Sequence, residues 1–378
     1  MKKLKKTKKK LMKNNRLQSI DALRGFDMFW IMGGAAIVLS LAKFTDVGWL
    51  DWLGNQMHHV EWKGFHIMDL VFPLFLFIAG LSFPFSVSKR RENGQKNSQI
   101  YRHIYTRAFI LFLFGLIYNG LFEFNGQLRV ASVLARIGFA WMFGALIFVN
   151  TKKISVRLIW TFGLLIFYSL LFTLVPAPDA PAGTDIFSAQ GNIVAWFDRR
   201  FLPGIIYNGN YDPEGILGII PATSNALFGM MTGTFLLSSR KITQNKKTLY
   251  MLFSGIILLF AAVLLDPVIP IIKKMWTPSF VFITAGIGLI LLSVFYWIID
   301  VKGYKKWAFP LRVIGLNSIT IYMGQSIINF GAIRNFFFEG IASLCPKEVS
   351  AIILSLGYVF ICWIFLWFLY NKKIFLKV

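Results

Sequence analysis

Apolar runs close to the roughly 20 residues that a helix needs to cross a bilayer recur near 19–43, 67–88, 107–124, 129–150, 158–175, 216–238, 248–266, 278–299, 309–329 and 349–370. Short polar stretches separate them. This pattern predicts an all-α, polytopic membrane helical bundle with about ten transmembrane helices. The shortest link, 123–128, divides the third run from the fourth, and losing either run would break the alternation described next.

The charges fall between the runs. In a soluble chain a net charge of +23 would suggest a nucleic-acid partner, but here the lysines and arginines concentrate in alternate connections: 1–16, 89–107, 152–157, 240–247, 302–312 and 372–377 hold 29 of the 40. The opposite connections hold twelve of the seventeen carboxylates, among them Asp46, Asp51, Asp179, Asp185 and Asp198. Cytoplasmic segments retain positive charge, so both termini are expected in the cytoplasm and no nucleic acid is needed to explain the charge. The basic start followed by an apolar stretch imitates a signal peptide, yet Asp21, Arg24 and Asp27 interrupt that stretch and argue against cleavage. Cys345 and Cys362 make no disulfide framework, no paired His/Cys spacing suggests a metal, and no repeat of the transporter kind is visible. The expected organisation is a basic segment over 1–18, one transmembrane domain over 19–370 with outer connections 44–66 and 176–215, and a basic tail over 371–378.

Both outer connections are long enough to be functional. The second carries Trp196, Phe197, Phe201, Tyr207 and Tyr211, poor residues for a solvated linker, and reads as a folded lid. Charge inside a span is costly, which singles out Asp21, Arg24, Asp27, Asp69 and Arg136. The i, i+3, i+6 spacing of the first three lets Arg24 reach both carboxylates, and a structural ion pair would explain it equally well. Of the four histidines, His58, His59 and His66 cluster at the start of the second run and His103 stands apart. His66 and Asp69, at i, i+3, form the sharpest local candidate for a carboxylate-oriented imidazole base; the plainer reading leaves His66 at the interface and Asp69 as a cap. Asp212-Pro213-Glu214 reads as a helix start, and its carboxylates also suit a cationic amine or sugar hydroxyls. Asn317, within the ninth run, must find partners or line a cavity, and its amide is a candidate oxyanion donor.

Five strings recur in order through the chain: RLQSIDALRGFDM, HHVEWKGFHIMDLVFPLFLFIAG, LRVASVLARIGFAW, DPEGILGIIPATSNALFGMMTG and LNSITIYMGQ. On these the chain resembles the heparan-α-glucosaminide N-acetyltransferase family of transmembrane acetyltransferases, in a short, microbial-type version without the added luminal domain and leading helix of lysosomal members. The resemblance implies transfer of acetyl from cytoplasmic acetyl-CoA, with no metal, to the amine of glucosamine or a terminal glucosaminide across the membrane. It places the catalytic histidine at His59, three residues before Trp62 of H-x-x-W-x-G, so the His66 reading yields to His59. Asp69, Asp212, Glu214 and Asn317 match family positions as supporting or substrate-binding residues. Arg24, Arg129 and Arg136 match as candidates for the CoA phosphates, which suit guanidinium forks. Ala131, Ser132 and Ala135 depart from the Pro, Gly and Gln usual in the fourth-span string.

His59 would either take the proton of the sugar ammonium for direct attack or accept acetyl itself. The expected setting is a bacterial cytoplasmic membrane with His59 on the outer side, lipid and a glycan acceptor as partners, and room for a homo-oligomer. The different-class alternative is a multi-pass transporter of a small polar or sugar-like solute.

Overall fold

The computed structural model describes residues 17–122, 128–207, 209–238 and 242–376. The basic run expected over 1–16, most of the link at 123–128, and Arg240, Lys241 and Lys377 lie outside the described residues. Among the described residues all extended regular structure is helical. In chain order the helices are α1 (Gln18–Phe44), α2 (Gly48–Gln56), α3 (Ile67–Glu92), α4 (Asn97–Tyr118), α5 (Val133–Asn150), α6 (Ile154–Leu174), α7 (Ile193–Phe201), α8 (Ile219–Leu237), α9 (Gln244–Leu265), α10 (Pro278–Val301), α11 (Phe309–Leu316), α12 (Ser318–Ile327), α13 (Phe330–Ala342) and α14 (Lys347–Asn371). Eight of them, α1, α3, α4, α5, α6, α9, α10 and α14, are long and apolar enough to cross a membrane, and the chain is a polytopic integral membrane bundle.

The other two expected runs are helical but different in kind. The run at 216–238 is α8, which carries Thr223, Ser224 and Asn225 along its buried faces. Its polar groups are satisfied by neighbours rather than lipid: Ser224 donates to Thr161 O (3.0 Å), Asn225 Nδ2 to Thr284 Oγ1 (3.0 Å), and Trp276 Nε1 donates to Asn225 Oδ1 (2.9 Å). With α3 it forms the centre of the bundle. A side chain at Gly80, Gly229 or Gly233 would run into the opposing backbone of Ala226, Phe77 or Leu81, so these two helices meet backbone to backbone through small residues.

The run at 309–329 is split into α11 and α12 at Asn317 (φ −127°, ψ 31°). The break is held by the chain's end: Asn317 Nδ2 donates to Ile374 O (3.0 Å), and Leu376 N donates to Asn317 Oδ1 (3.4 Å). Non-helical backbone within a bundle is tolerated where protein supplies such partners. Helix α1 begins on a carboxylate from the end of α10, with Gln18 N and Ser19 N donating to Asp300 (3.2 and 3.1 Å), which suits the positive end of a helix. A widened turn at Trp30–Gly34 interrupts it midway.

At the end expected outside, three connections knit together. Gly64 N donates to Ile271 O (2.8 Å), Lys274 Nζ to Glu61 O, and Trp62 Nε1 to Phe187 O (2.5 Å). Ile193, Val194, Ile269, Ile272 and Met275 pack with Tyr168 and Phe172 into a small separate core. The 176–215 connection is ordered by these residues and by Tyr211, whereas Phe201 and Tyr207 stay exposed.

Candidate active site

The loop between α2 and α3 carries His59, and the first turn of α3 carries Asp69. Gly64, at φ 116°, makes the left-handed turn of that loop, a conformation that strains any other residue. Asp69 is fully buried and acts in two directions. Its Oδ2 accepts from His66 N (3.0 Å) and Val60 N (3.4 Å), fixing the entry into α3, while Oδ1 lies 2.7 Å from His59 Nδ1. A carboxylate at that distance accepts a hydrogen bond from Nδ1–H and so favours the tautomer whose lone pair is on Nε2. The carboxylate-oriented imidazole is therefore His59; His66 instead turns its Nδ1 to His58 O (3.0 Å). The His59 side chain is 53% exposed and Asp69 1%, so the imidazole is reachable from the end expected outside and its orienting group is not.

Lys273, from the α9–α10 connection, completes the cluster. Its Nζ donates to Asp69 Oδ1 (3.1 Å) and lies 2.9 Å from His59 Nδ1 and 3.4 Å from Nε2. Burial lowers the Lys273 ammonium from its ordinary value and Asp69 pulls it back. The connection is rigid. Thr277 Oγ1 and Ser279 Oγ both donate to Pro270 O (2.9 and 3.0 Å), and Ile272 N donates to Thr277 Oγ1 (3.0 Å). Sequence reasoning missed this lysine, and the signal was there: Lys273 and Lys274 place two cations on a connection that the charge alternation assigns to the acidic side.

His59, Lys273 and Glu214 stand at the polar end of a cavity of about 180 Å³. Its remaining wall is largely apolar, with Met28 and Ile31 from α1, Phe72 and Phe75 from α3, and Ile137 from α5. Such a cavity accepts a slender, uncharged segment of a ligand and presents its end to the imidazole.

A second polar cluster lies beside the first. Arg129 donates to Asp212 through Nε (2.9 Å) and Nη2 (2.5 Å) and to Glu214 through Nη2 (2.5 Å). Burial opposes its charge, but the hydrogen bonds and attraction of both carboxylates outweigh it and raise the guanidinium above its ordinary value. Arg136 donates to Gly215 O (2.7 Å) and stacks over Trp276 at 5.1 Å. Asp198 accepts from Ile216 N (2.8 Å), and burial pushes its carboxyl up to about 7 while that hydrogen bond and Arg136 pull it down. Arg136 and Asp198 thus grip the Gly215–Ile216 backbone from two sides. A side chain at Gly215 would overlap the Asp198 carboxylate.

Two of the expected residues lie elsewhere. Arg24 donates to Ser82 Oγ (2.9 Å) and Gly315 O (3.5 Å) and sits 3.9 Å from Asp21. Asn317 is committed to Ile374 and Leu376, as above. The structure therefore brings together His59, Asp69 and Glu214 at one cavity mouth with Arg129 and Asp212 beside them, holds Arg136 behind Gly215, and leaves Arg24 and Asn317 at separate positions.

A half-exposed imidazole, oriented by a buried carboxylate at the mouth of an apolar cavity in a helical bundle, defines a polytopic membrane protein with a candidate site for proton transfer. No protein-family model matches the chain. Over 96% of its length it is 27% identical to the heparan-alpha-glucosaminide N-acetyltransferase of Homo sapiens and 26% identical to that of Mus musculus. It spans about three fifths of the length of these curated relatives, 60% and 61%. The similarity to these two proteins runs through nearly the whole of this chain.

Proposed function

We propose that the chain is a transmembrane N-acetyltransferase, moving acetyl from acetyl-CoA supplied on the cytoplasmic side to the amine of glucosamine or a terminal glucosaminide on the outer side of a bacterial cytoplasmic membrane. The observation that carries this is the His59–Asp69 contact of 2.7 Å at the polar mouth of the apolar cavity. Acetyl-CoA is here a substrate whose uncharged arm suits the cavity and whose thioester would stand at His59.

His59 Nε2 takes a proton from the incoming amine, held in the right tautomer by Asp69. The nitrogen then bonds to the thioester carbon. Bond formation releases the second N–H proton to water; collapse then re-forms the carbonyl, breaks the C–S bond and expels the CoA thiolate, which takes the first proton back from the His59 imidazolium, giving an N-acetyl sugar and free CoA. Glu214, at the cavity mouth, is placed to attract the cationic amine before it is deprotonated. The 19–370 segment acts as one acyltransferase domain in this reading, with 44–66 and 176–215 around the acceptor.

The test is transfer of labelled acetyl from acetyl-CoA to glucosamine by purified protein in detergent. Wild type is expected to label the sugar, and His59→Ala, with an unchanged melting temperature, to lose about 10³-fold or more of that rate. Equal background labelling by both proteins would sink the reading.

A further inference from the structure

Every acyl transfer passes through a tetrahedral centre whose oxygen carries a negative charge, and preorganised donors at that oxygen are commonly the largest catalytic contribution. The donors nearby are few. Asn317 lies away from the cavity, bound to Ile374 and Leu376, and Arg129 is occupied by Asp212 and Glu214. Tyr322 lines the cavity, but its hydroxyl shares a hydrogen bond with Tyr118. Lys273 differs from all three. Its ammonium lines the cavity, spends one N–H on Asp69 Oδ1, and lies within 3.4 Å of the His59 nitrogen left free for chemistry.

We propose that Lys273 is a catalytic residue that stabilises the oxyanion of acetyl transfer, donating an N–H to the former carbonyl oxygen while His59 handles the proton of the amine. This rests on the reading given under Proposed function. A reacting carbon at ordinary attack distance from the amine held by His59 Nε2 also lies within reach of Lys273 Nζ, because the two nitrogens are 3.4 Å apart. As the amine nitrogen bonds to that carbon, the carbonyl π pair moves onto oxygen beside the ammonium. When the pair returns and the C–S bond breaks, the thiolate leaves and the ammonium resumes its place against Asp69. No proton leaves Lys273 at any stage, so the step balances without another reactant. Preorganisation comes from the rigid Pro270–Ser279 turn and from Asp69, which binds His59 and Lys273 through one oxygen.

The experiment compares wild type with Lys273→Met and Lys273→Arg in the same detergent, measuring kcat and KM for acetyl-CoA and glucosamine across pH. Lys273→Met is expected to lower kcat by about 10²–10³-fold with both KM values within a few-fold. Lys273→Met should stay slow even at the pH of its own maximum, and Lys273→Arg, which keeps a charged N–H donor, should restore part of the rate. The groups facing Lys273 are His59, Asp69, Glu214 and Lys274. If the lysine acted only through the charge of its neighbours, Lys273→Met would recover the wild-type kcat at the pH of its own maximum. That recovery, or a Lys273→Met kcat within about threefold of wild type at every pH, overturns the proposal. If Lys273→Met does not fold, Lys273→Gln is measured instead, and failure of both to fold assigns the residue to stability and also overturns it. Wild type inactive with every amine would refute the acetyltransferase reading instead, so the two failures are distinguishable.

Discussion

The two polar clusters beside the cavity use the same ingredients to opposite ends. In one, Arg129 meets two carboxylates and its hydrogen-bonding fork is filled from within the protein. In the other, His59 and Lys273 share a single oxygen of Asp69, so an imidazole nitrogen and ammonium hydrogens meet each other, rather than further carboxylates, at the cavity wall. Saturation makes a strut, and a shortage of acceptors makes a reactive surface. Family resemblance alone grouped Arg129 with the cofactor contacts; its geometry assigns it first to holding Asp212 and Glu214 in place.

That contrast is open to attack from its strongest side. Removing one partner of a buried ion pair leaves charge uncompensated, so Arg129→Ala should cost about 3–5 kcal/mol, read as a large fall in melting temperature with or without substrate. A melting temperature equal to wild type would mean that the fork is a reserve for ligand phosphates after all. Asp69→Asn should also melt lower, since it leaves Lys273 without its carboxylate, but transfer by the protein that remains folded should fall roughly 10²-fold because the imidazole loses its tautomer. His66→Ala is its control, expected within twofold of wild type, and a comparable loss there would restore the i, i+3 dyad.

The smallest effect concerns the grip behind Gly215. Asp198 has a folded value of about 7 against about 4 in an unfolded chain. Between those values the folded protein binds a proton that the unfolded chain has released, so this contribution to stability is fully present at low pH and is lost as pH rises toward 7. Asp198→Asn should flatten that slope and melt higher than wild type, relative to their difference near pH 4, when both are compared at pH 8. An unchanged slope would place the pH dependence elsewhere.

Much of the fold was legible because lipid imposes a length and a polarity that single runs display on their own. Helices α3, α9, α10 and α14 fall within a few residues of their runs. The break at Asn317 was not legible, since its partners at 374 and 376 lie beyond three further helices. Nor was α13 expected, a short helix with Phe336 and Phe337 exposed. At the site, His59 was reached through the H-x-x-W-x-G string, because spacing favours neighbours in sequence and the nearer candidate was His66. Asp69 was found by its cost inside a span. Lys273 was visible only as a misplaced charge, and its contact with residues more than two hundred positions earlier has no local signature.

The interior place of α8 bears on how the protein is made. When this segment leaves the ribosome, α3 and α6 are already synthesised and Thr161 can receive Ser224, but Trp276 and Thr284, which satisfy Asn225, have yet to be translated. For that interval a polar amide has no permanent companion in hydrocarbon, and α8 depends on the insertion machinery or on close packing with α3 to remain in the membrane. Maturation of the bundle therefore waits on the segment that also delivers Lys273, so a chain interrupted before it would lack both a settled centre and an assembled site.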